Sequence, residues 1–243
     1  MVININPVLF TLGPLEVRWY GLMYVVGITI GLLVAFPYAR YKGITRTQME
    51  NIVVWAVPAG LIGARLYYDL QQPLSQFVND PIQLIAVWEG GMAFYGAIFA
   101  VVATVIFLAW RNKVGIFKML DVAVLFAVVG QFFGRIGNII NGDVLGYATN
   151  LPWGFTYTNP NSFAPTHNTA YHPAAVYEAL INILMFSIMF SLRKKFKDGV
   201  LFFFYIIAYS ISQIIVFFWR DNVVLFWGLK QAQFDGSGSP QSN

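Results

Sequence analysis

Apolar residues in this chain come in long unbroken runs, and polar residues collect in the stretches between them. Read with a window of about 19 residues, six runs stand out, at 19–39, 52–70, 92–110, 120–140, 174–192 and 200–219. Each approaches the roughly 20 residues that carry a helix across a bilayer. The runs are continuous rather than alternating, which excludes barrel strands. Backbone groups in lipid must be satisfied within their own segment, so helix is the consistent state. The expected fold is all-α: a polytopic transmembrane helical bundle of six spans in a single domain over residues 1–230. Residues 231–243 read as a polar, flexible tail. The first run is a span and not a signal peptide, because no basic stretch precedes it within the N-terminus and five more runs follow.

Charge then orients the bundle. Arg40, Lys42 and Arg46 lie between the first and second runs; Arg111, Lys113 and Lys118 between the third and fourth; Arg193, Lys194, Lys195 and Lys197 between the fifth and sixth. The loop between the second and third runs carries Asp80 and Glu89 and no Lys or Arg, and residues 136–192 hold neither base. Every second loop is basic, which puts those loops in the cytoplasm and the N-terminus outside. The longest outer segment, about 141–173, is rich in turn formers such as Asn150, Pro152, Asn159 and Pro160. It is longer than a simple connection requires and reads as a polar cap. There is no long internal repeat to support an inverted-repeat transporter.

Composition sharpens the picture in two places. Of 243 residues 58% are hydrophobic and only 11% charged, against roughly 25% charged in soluble domains. There is no Cys, so the chain has no disulfide, no thiolate metal site and no Cys nucleophile of its own. Two His, His167 and His172, are too few for a His-rich metal centre.

Ionisable groups within spans are costly and therefore candidate sites. Arg65 has Asp69 one turn on, a spacing that suits a local ion pair with the Arg reaching for the interface; a place in a site is the other reading. Arg135 sits in Gly134-Arg135-Ile-Gly-Asn138-Ile-Ile-Asn141-Gly-Asp143 and shares a helix face with Asn138. Gly130 and Gly134 form a small-xxx-small step that lets a helix or a lipid come close. An Arg in such a groove suits a phosphate, which its planar fork grips with two charge-assisted bonds. Its competing role is an ion pair with Asp143, Glu178 or Asp121. Glu178 reads first as a structural carboxylate at the start of its span, and Asp121 as favouring the N-terminus of its own helix. His172 caps or packs, His167 is solvated, and Tyr20 lies in an interfacial aromatic belt. Gln213 is the main polar group within the last span.

Together these segments resemble the prolipoprotein diacylglyceryl transferase family. The likeness runs through Phe10 to Gly21, Gly63-Ala-Arg65, Val87-Trp-Glu-Gly-Gly-Met92, Gly134 to Gly146, His172-Pro173 with Tyr177-Glu178, and Tyr209 to Asp221. The Gly-Arg-x-Gly-Asn-x-x-Asn-Gly block is its most specific part. The resemblance implies a bacterial inner-membrane enzyme that moves the diacylglyceryl group of phosphatidylglycerol onto the lipobox cysteine thiol of a preprolipoprotein signal peptide. It implies a thioether product, glycerol phosphate as leaving group, the lipid bilayer as working surface, no cofactor or metal, and no nucleic acid. It implies catalytic roles for Arg135, Tyr95, Asn138 and Tyr20. Arg135, Asn138, Asn141, Asp143, Gly146, Arg65, Tyr209 and Gln213 are implied to bind substrate, with Arg135 on the phosphate, Asn138 orienting the headgroup and Gly146 admitting backbone to the lipid.

The chain departs from the family pattern at a few places. Phe94-Tyr95-Gly96-Ala97 stands where the family usually has His-Gly-Gly, so a phenol with an ordinary pKa near 10 replaces a proton-handling His. Gln213 stands for an Arg, Phe217 for a Glu, and Asp143 for a Glu. Losing the Arg and the Glu together removes a cation with its counter-ion. Family members also usually carry a further span beyond the last one here. A catalytically degenerate member that binds anionic lipid or prolipoprotein without turnover is the alternative reading; an anion channel built on Arg65 and Arg135 leaves the Gly-Arg block unexplained.

Overall fold

A computed structural model describes residues 1–13, 15–72, 77, 80–85, 93–220, 224–226 and 229–230. Six helices dominate: α1 (Trp19–Tyr41), α2 (Arg46–Asp69), α3 (Phe94–Arg111), α4 (Ile116–Asn141), α5 (Ala174–Leu192) and α6 (Val200–Phe217). They coincide with the six apolar runs. α1, α2, α4, α5 and α6 are long and apolar enough to cross a membrane by length and composition, and α3 is an apolar helix over Tyr95–Arg111. The chain is a multi-pass helical membrane protein. Met92, the expected start of the third span, lies outside the described residues, as do the Val87–Met92 motif and the tail at 231–243.

The chain forms two compact units. One comprises Met1–Tyr41 with Leu120–Asp221, the other Lys42–Met119 with Asn222–Asn243. In the first, α1 meets α4 through glycines. A Cβ on Gly31 would come within 2.8 Å of the Phe126 ring, and one on Gly137 within 2.7 Å of the Tyr20 ring. The Gly130–Gly134 step reads as admitting a helix or a lipid, and α1 comes close to it, since a Cβ on Gly27 would lie 3.4 Å from the Gly130 Cα. A Cβ on Gly130 or Gly134 would meet nothing within 4 Å, so these two glycines leave room on the α4 face they share with Asn138. Asp121 is placed differently from expectation. Its buried carboxylate accepts from the backbone N–H of Gly199 at 2.9 Å and of Phe202 at 3.0 Å. It caps α6 instead of its own helix, because those orphan N–H groups point at it and Gly199 starts the helix in the left-handed region at φ 92°.

A cap of short strands joins the helical frame. β1 (Val2–Ile3) pairs parallel with β4 (Phe155–Tyr157), which pairs antiparallel with β5 (Ala170–Tyr171). β2 (Val8–Leu12) and β3 (Leu15–Arg18) form a hairpin that runs directly into α1. The N-terminal segment thus packs into the same cap as the 142–173 segment.

In the second unit, α2 starts with a capping box: the Thr45 hydroxyl accepts from Gln48 N–H, and the Gln48 amide oxygen accepts from Thr45 N–H. α2 lies against α3 nearly backbone to backbone. A Cβ on Gly63 would sit 2.3 Å from the Ala100 methyl and 2.6 Å from the Gly96 carbonyl oxygen. β6 (Val224–Phe226) and β7 (Leu229–Lys230) pair antiparallel.

Candidate functional site

The site is built at the C-terminal end of α4. That helix ends at Asn141 and turns through Gly142, whose φ of 77° needs a residue without Cβ. Room is short there too, since a Cβ would come within 3.0 Å of the Tyr157 ring. Tyr157 is buried and donates its hydroxyl to the Ile139 carbonyl at 2.8 Å, which ties the cap to the helix end. Just beyond, Val144 is held at φ 56°, a costly conformation for a β-branched residue and one that tends to occur at working sites.

These turns gather a line of polar side chains. Arg135 donates one guanidinium N–H to the Asn138 amide oxygen at 3.1 Å. Asn138 and Asn141, both buried, donate their amide N–H groups to the two oxygens of Asp143 at 2.8 and 3.2 Å. The Asn141 amide oxygen is buried and has no hydrogen-bond partner among the described residues, so it is an acceptor open to substrate. Burial raises the Asp143 carboxyl above the ordinary carboxylate range, and the two amides and the Arg135 charge pull it back.

α5 and α6 bring the rest. Glu178, 2% exposed, receives Arg135 on Oε2 at 2.5 Å and Arg220 on Oε1 at 3.4 Å. Gln213 donates to the same Oε2 at 3.3 Å. Of the partners weighed for Arg135, the structure selects Glu178. One carboxylate therefore faces two guanidiniums. Burial lowers the Arg220 pKa, Glu178 raises it and the charge of Arg135 lowers it again, so both cations act on the same small volume. Phe217 puts its ring 5.8 Å from the Arg220 guanidinium carbon.

Around this hub the remaining side chains pack. Tyr20 lies over Gly137, bonds to the Tyr24 hydroxyl at 2.8 Å, and is near enough to feel the charges of Asp143 and Arg135. Tyr209 stacks on Tyr205 and is coupled to Arg220. The space beside Gly146 is taken by protein, since a Cβ would meet the Trp219 carbonyl oxygen at 2.1 Å and His172 at 2.7 Å. Gly146 thus brings the 142–147 loop against the end of α6. His172 packs as expected, its Nδ1 3.2 Å from the Tyr177 hydroxyl, which also accepts from the Trp153 indole at 3.1 Å. His167 is exposed and bonds to Ser162.

Residues 7–236 match the family model described as prolipoprotein diacylglyceryl transferase. The chain belongs to that family. Its relatives include a phosphatidylglycerol–prolipoprotein diacylglyceryl transferase of Geobacter sulfurreducens, 35% identical over 90% of this chain and 83% of that protein. Others carry the same name in Sinorhizobium medicae, 34% identical over 90% of this chain and 80% of that one, and in Synechococcus elongatus, 32% identical over 94% and 81%.

One residue at the site of this diacylglyceryl transferase was not named as a site residue from sequence, and another was read first for a different role. Arg220 closes the motif of the last span, and its signal is position: it is an Arg at an outer helix end, in a protein whose outer segments are otherwise nearly free of bases. Glu178 reads as structural, yet it is the carboxylate on which both cations converge. Arg65 and Tyr95 belong to the second unit. Arg65 is 7% exposed and pairs with Asp69 at 3.0 Å, so of its two readings the local ion pair is formed, by a buried side chain rather than one reaching to the interface. It also donates to the Gln83 carbonyl. Tyr95 lies in the first turn of α3, half-buried, beside the tight Gly96 contact.

Proposed function

We propose that this chain transfers the diacylglyceryl group of phosphatidylglycerol to the thiol of a lipobox cysteine in a preprolipoprotein, in the inner membrane of a bacterium. A carbon–sulfur bond forms, the carbon–oxygen bond to the phosphate breaks, and glycerol phosphate leaves. The thiol proton ends on the departing phosphate or in water. The phosphodiester carries one negative charge before the step, and the phosphomonoester gains a second as the bond breaks. Groups that favour the transition state must therefore answer to charge growing on that phosphate.

The observation that carries this reading is the convergence of Arg135 and Arg220 on the single carboxylate of Glu178. The two guanidiniums share one carboxylate while Asp143, close enough to act on both, is engaged by the Asn138 and Asn141 amides, so both cations are fixed in place before substrate arrives. In our reading Arg135 and Arg220 hold the phosphate, and Glu178 with Gln213 keeps them aimed. Asn138 and Tyr20 shape the headgroup pocket, and the open Asn141 acceptor takes a hydroxyl of the glycerol. Asp143 orients the two Asn amides. The room beside Gly130 and Gly134 takes part of an acyl chain. Gly146 serves by positioning the loop, Tyr209 by lying near enough to Arg220 to favour its charge, and Arg65 and Tyr95 are assigned supporting roles from the family motif.

The family usually places an Arg at the position of Gln213, and Arg220 supports the reading that a second cation is nonetheless present. That favours turnover over binding alone. The test is mass spectrometry of a synthetic lipobox peptide incubated with the protein in phosphatidylglycerol vesicles. The expected result is a gain of one diacylglyceryl mass that depends on the peptide's cysteine. An unmodified peptide, with folded protein in the vesicles, would overturn the proposal.

A further inference from the structure

A second feature lies at the other end of the first unit, far along α1 and α5 from the Arg135 site. A groove of about 170 Å³ is lined by Leu33, Val34, Pro37, Tyr38 and Phe190, with Arg193 and Lys194 at its edge. Its origin is local. Pro37 lies inside α1 and has no N–H to return to the carbonyl of Leu33, and its ring pushes against that turn. Across the groove from Leu33, Val34 and Pro37 of α1 stand Phe190 and Arg193 at the end of α5.

The cations at the edge are held in place. Arg193 donates to the Phe190 carbonyl, and its guanidinium stacks 3.4 Å over the Phe190 ring. Lys194 stands 5.1 Å over the Tyr41 ring. The carbonyls at the end of α5 are taken by tyrosines of α1: Tyr38 donates to Arg193 O at 2.9 Å and Tyr41 to Lys194 O at 3.4 Å. The two cations therefore do not serve those two carbonyls. The charged groups on the adjoining segments are Arg40, Lys195 and Lys197, all basic, and Asp198.

Apolar walls at hydrocarbon depth, interfacial tyrosines and fixed cations at one rim form the chemistry of a phospholipid with an anionic headgroup. We propose that this groove binds one anionic glycerophospholipid of the cytoplasmic leaflet, its acyl chain along Leu33, Val34 and Pro37 and its phosphate at Arg193 and Lys194. The leaflet follows from the basic loops that place this end of the bundle inside. The site is independent of the transfer reaction.

The test is native mass spectrometry of the detergent-solubilised protein with phosphatidic acid, which lacks the glycerol headgroup of the transfer donor, and with phosphatidylcholine. On an Arg135→Ala, Arg220→Ala background, which removes the phosphate grip of the transfer site, the protein should retain one phosphatidic acid in preference to phosphatidylcholine. Arg193→Ala with Lys194→Ala should weaken that retention roughly 30-fold, as expected for two cations facing an anionic lipid. Val34→Trp keeps the charge, fills the groove and should abolish retention. Lys195→Ala with Lys197→Ala removes equal charge outside the groove and should leave retention unchanged. Equal retention of the two lipids, retention that survives Val34→Trp, or equal losses in the two double variants would each overturn the proposal.

Discussion

Glu178 is a carboxylate with more positive neighbours than it can neutralise. It is 2% exposed and shared by Arg135, Arg220 and Gln213. The exchange that the family resemblance implies, Gln213 for an Arg and Phe217 for a Glu, fits around it. Gln213 keeps a donor on Oε2 without adding a third cation. Phe217 offers Arg220 a ring face in place of a carboxylate that would compete with Glu178 and with a phosphate. Phe217→Glu alone should draw Arg220 away and slow transfer by about 10-fold or more. Adding Gln213→Arg should recover most of that loss without exceeding the wild type. Initial rates of peptide modification decide between this and a simple deficit, in which the double variant would run well above wild type. At this scale the sequence is legible where a motif is contiguous. Arg135, Asn138, Asn141 and Asp143 lie on one helix end and its turn, so spacing alone brings them together. Arg220 and Glu178 are 42 residues apart in sequence, and no local pattern announces their pairing. For the same reason Asp121 capping a helix 78 residues on is invisible from its own helix.

At the scale of elements, glycine positions decide how helices meet. α2 and α3 approach so closely that the Gly63 and Gly96 backbones occupy the space a side chain would need. Gly63→Ala is therefore expected to destabilise the protein by roughly 1–3 kcal/mol, as overpacking does. Gly134→Ala meets open space, and is expected to leave stability nearly unchanged while impeding lipid use. Thermal unfolding in detergent, paired with the transfer rate, separates the two effects; equal stability losses would show that both glycines are helix contacts. The six helices follow from hydropathy because each run is long and continuous. The cap strands do not, because each is two to five residues long and β1, β4 and β5 pair across long loops, as Val2 with Thr156. Such strands carry too little periodicity to stand out.

For the whole molecule, the basic loops and the polar cap imply a single orientation, with the Arg135 site toward the outside and the Arg193 groove toward the cytoplasm. The chain has no Cys, so single cysteines report sidedness directly. Asn161→Cys should react with an impermeant maleimide applied to intact cells, and Lys195→Cys only after permeabilisation. The opposite pattern would invert the topology. The measurement that bears most directly on the proposed chemistry is the transfer rate of Arg135→Ala, Arg220→Ala and the double variant, in phosphatidylglycerol vesicles with the lipobox peptide. Each single change should lower kcat/KM by about 100-fold or more, as loss of one charge-stabilising donor does. The double variant should fall short of the product of the two, since both cations act on one phosphate through one carboxylate. An Arg220→Ala protein within about twofold of wild type would contradict the shared phosphate grip.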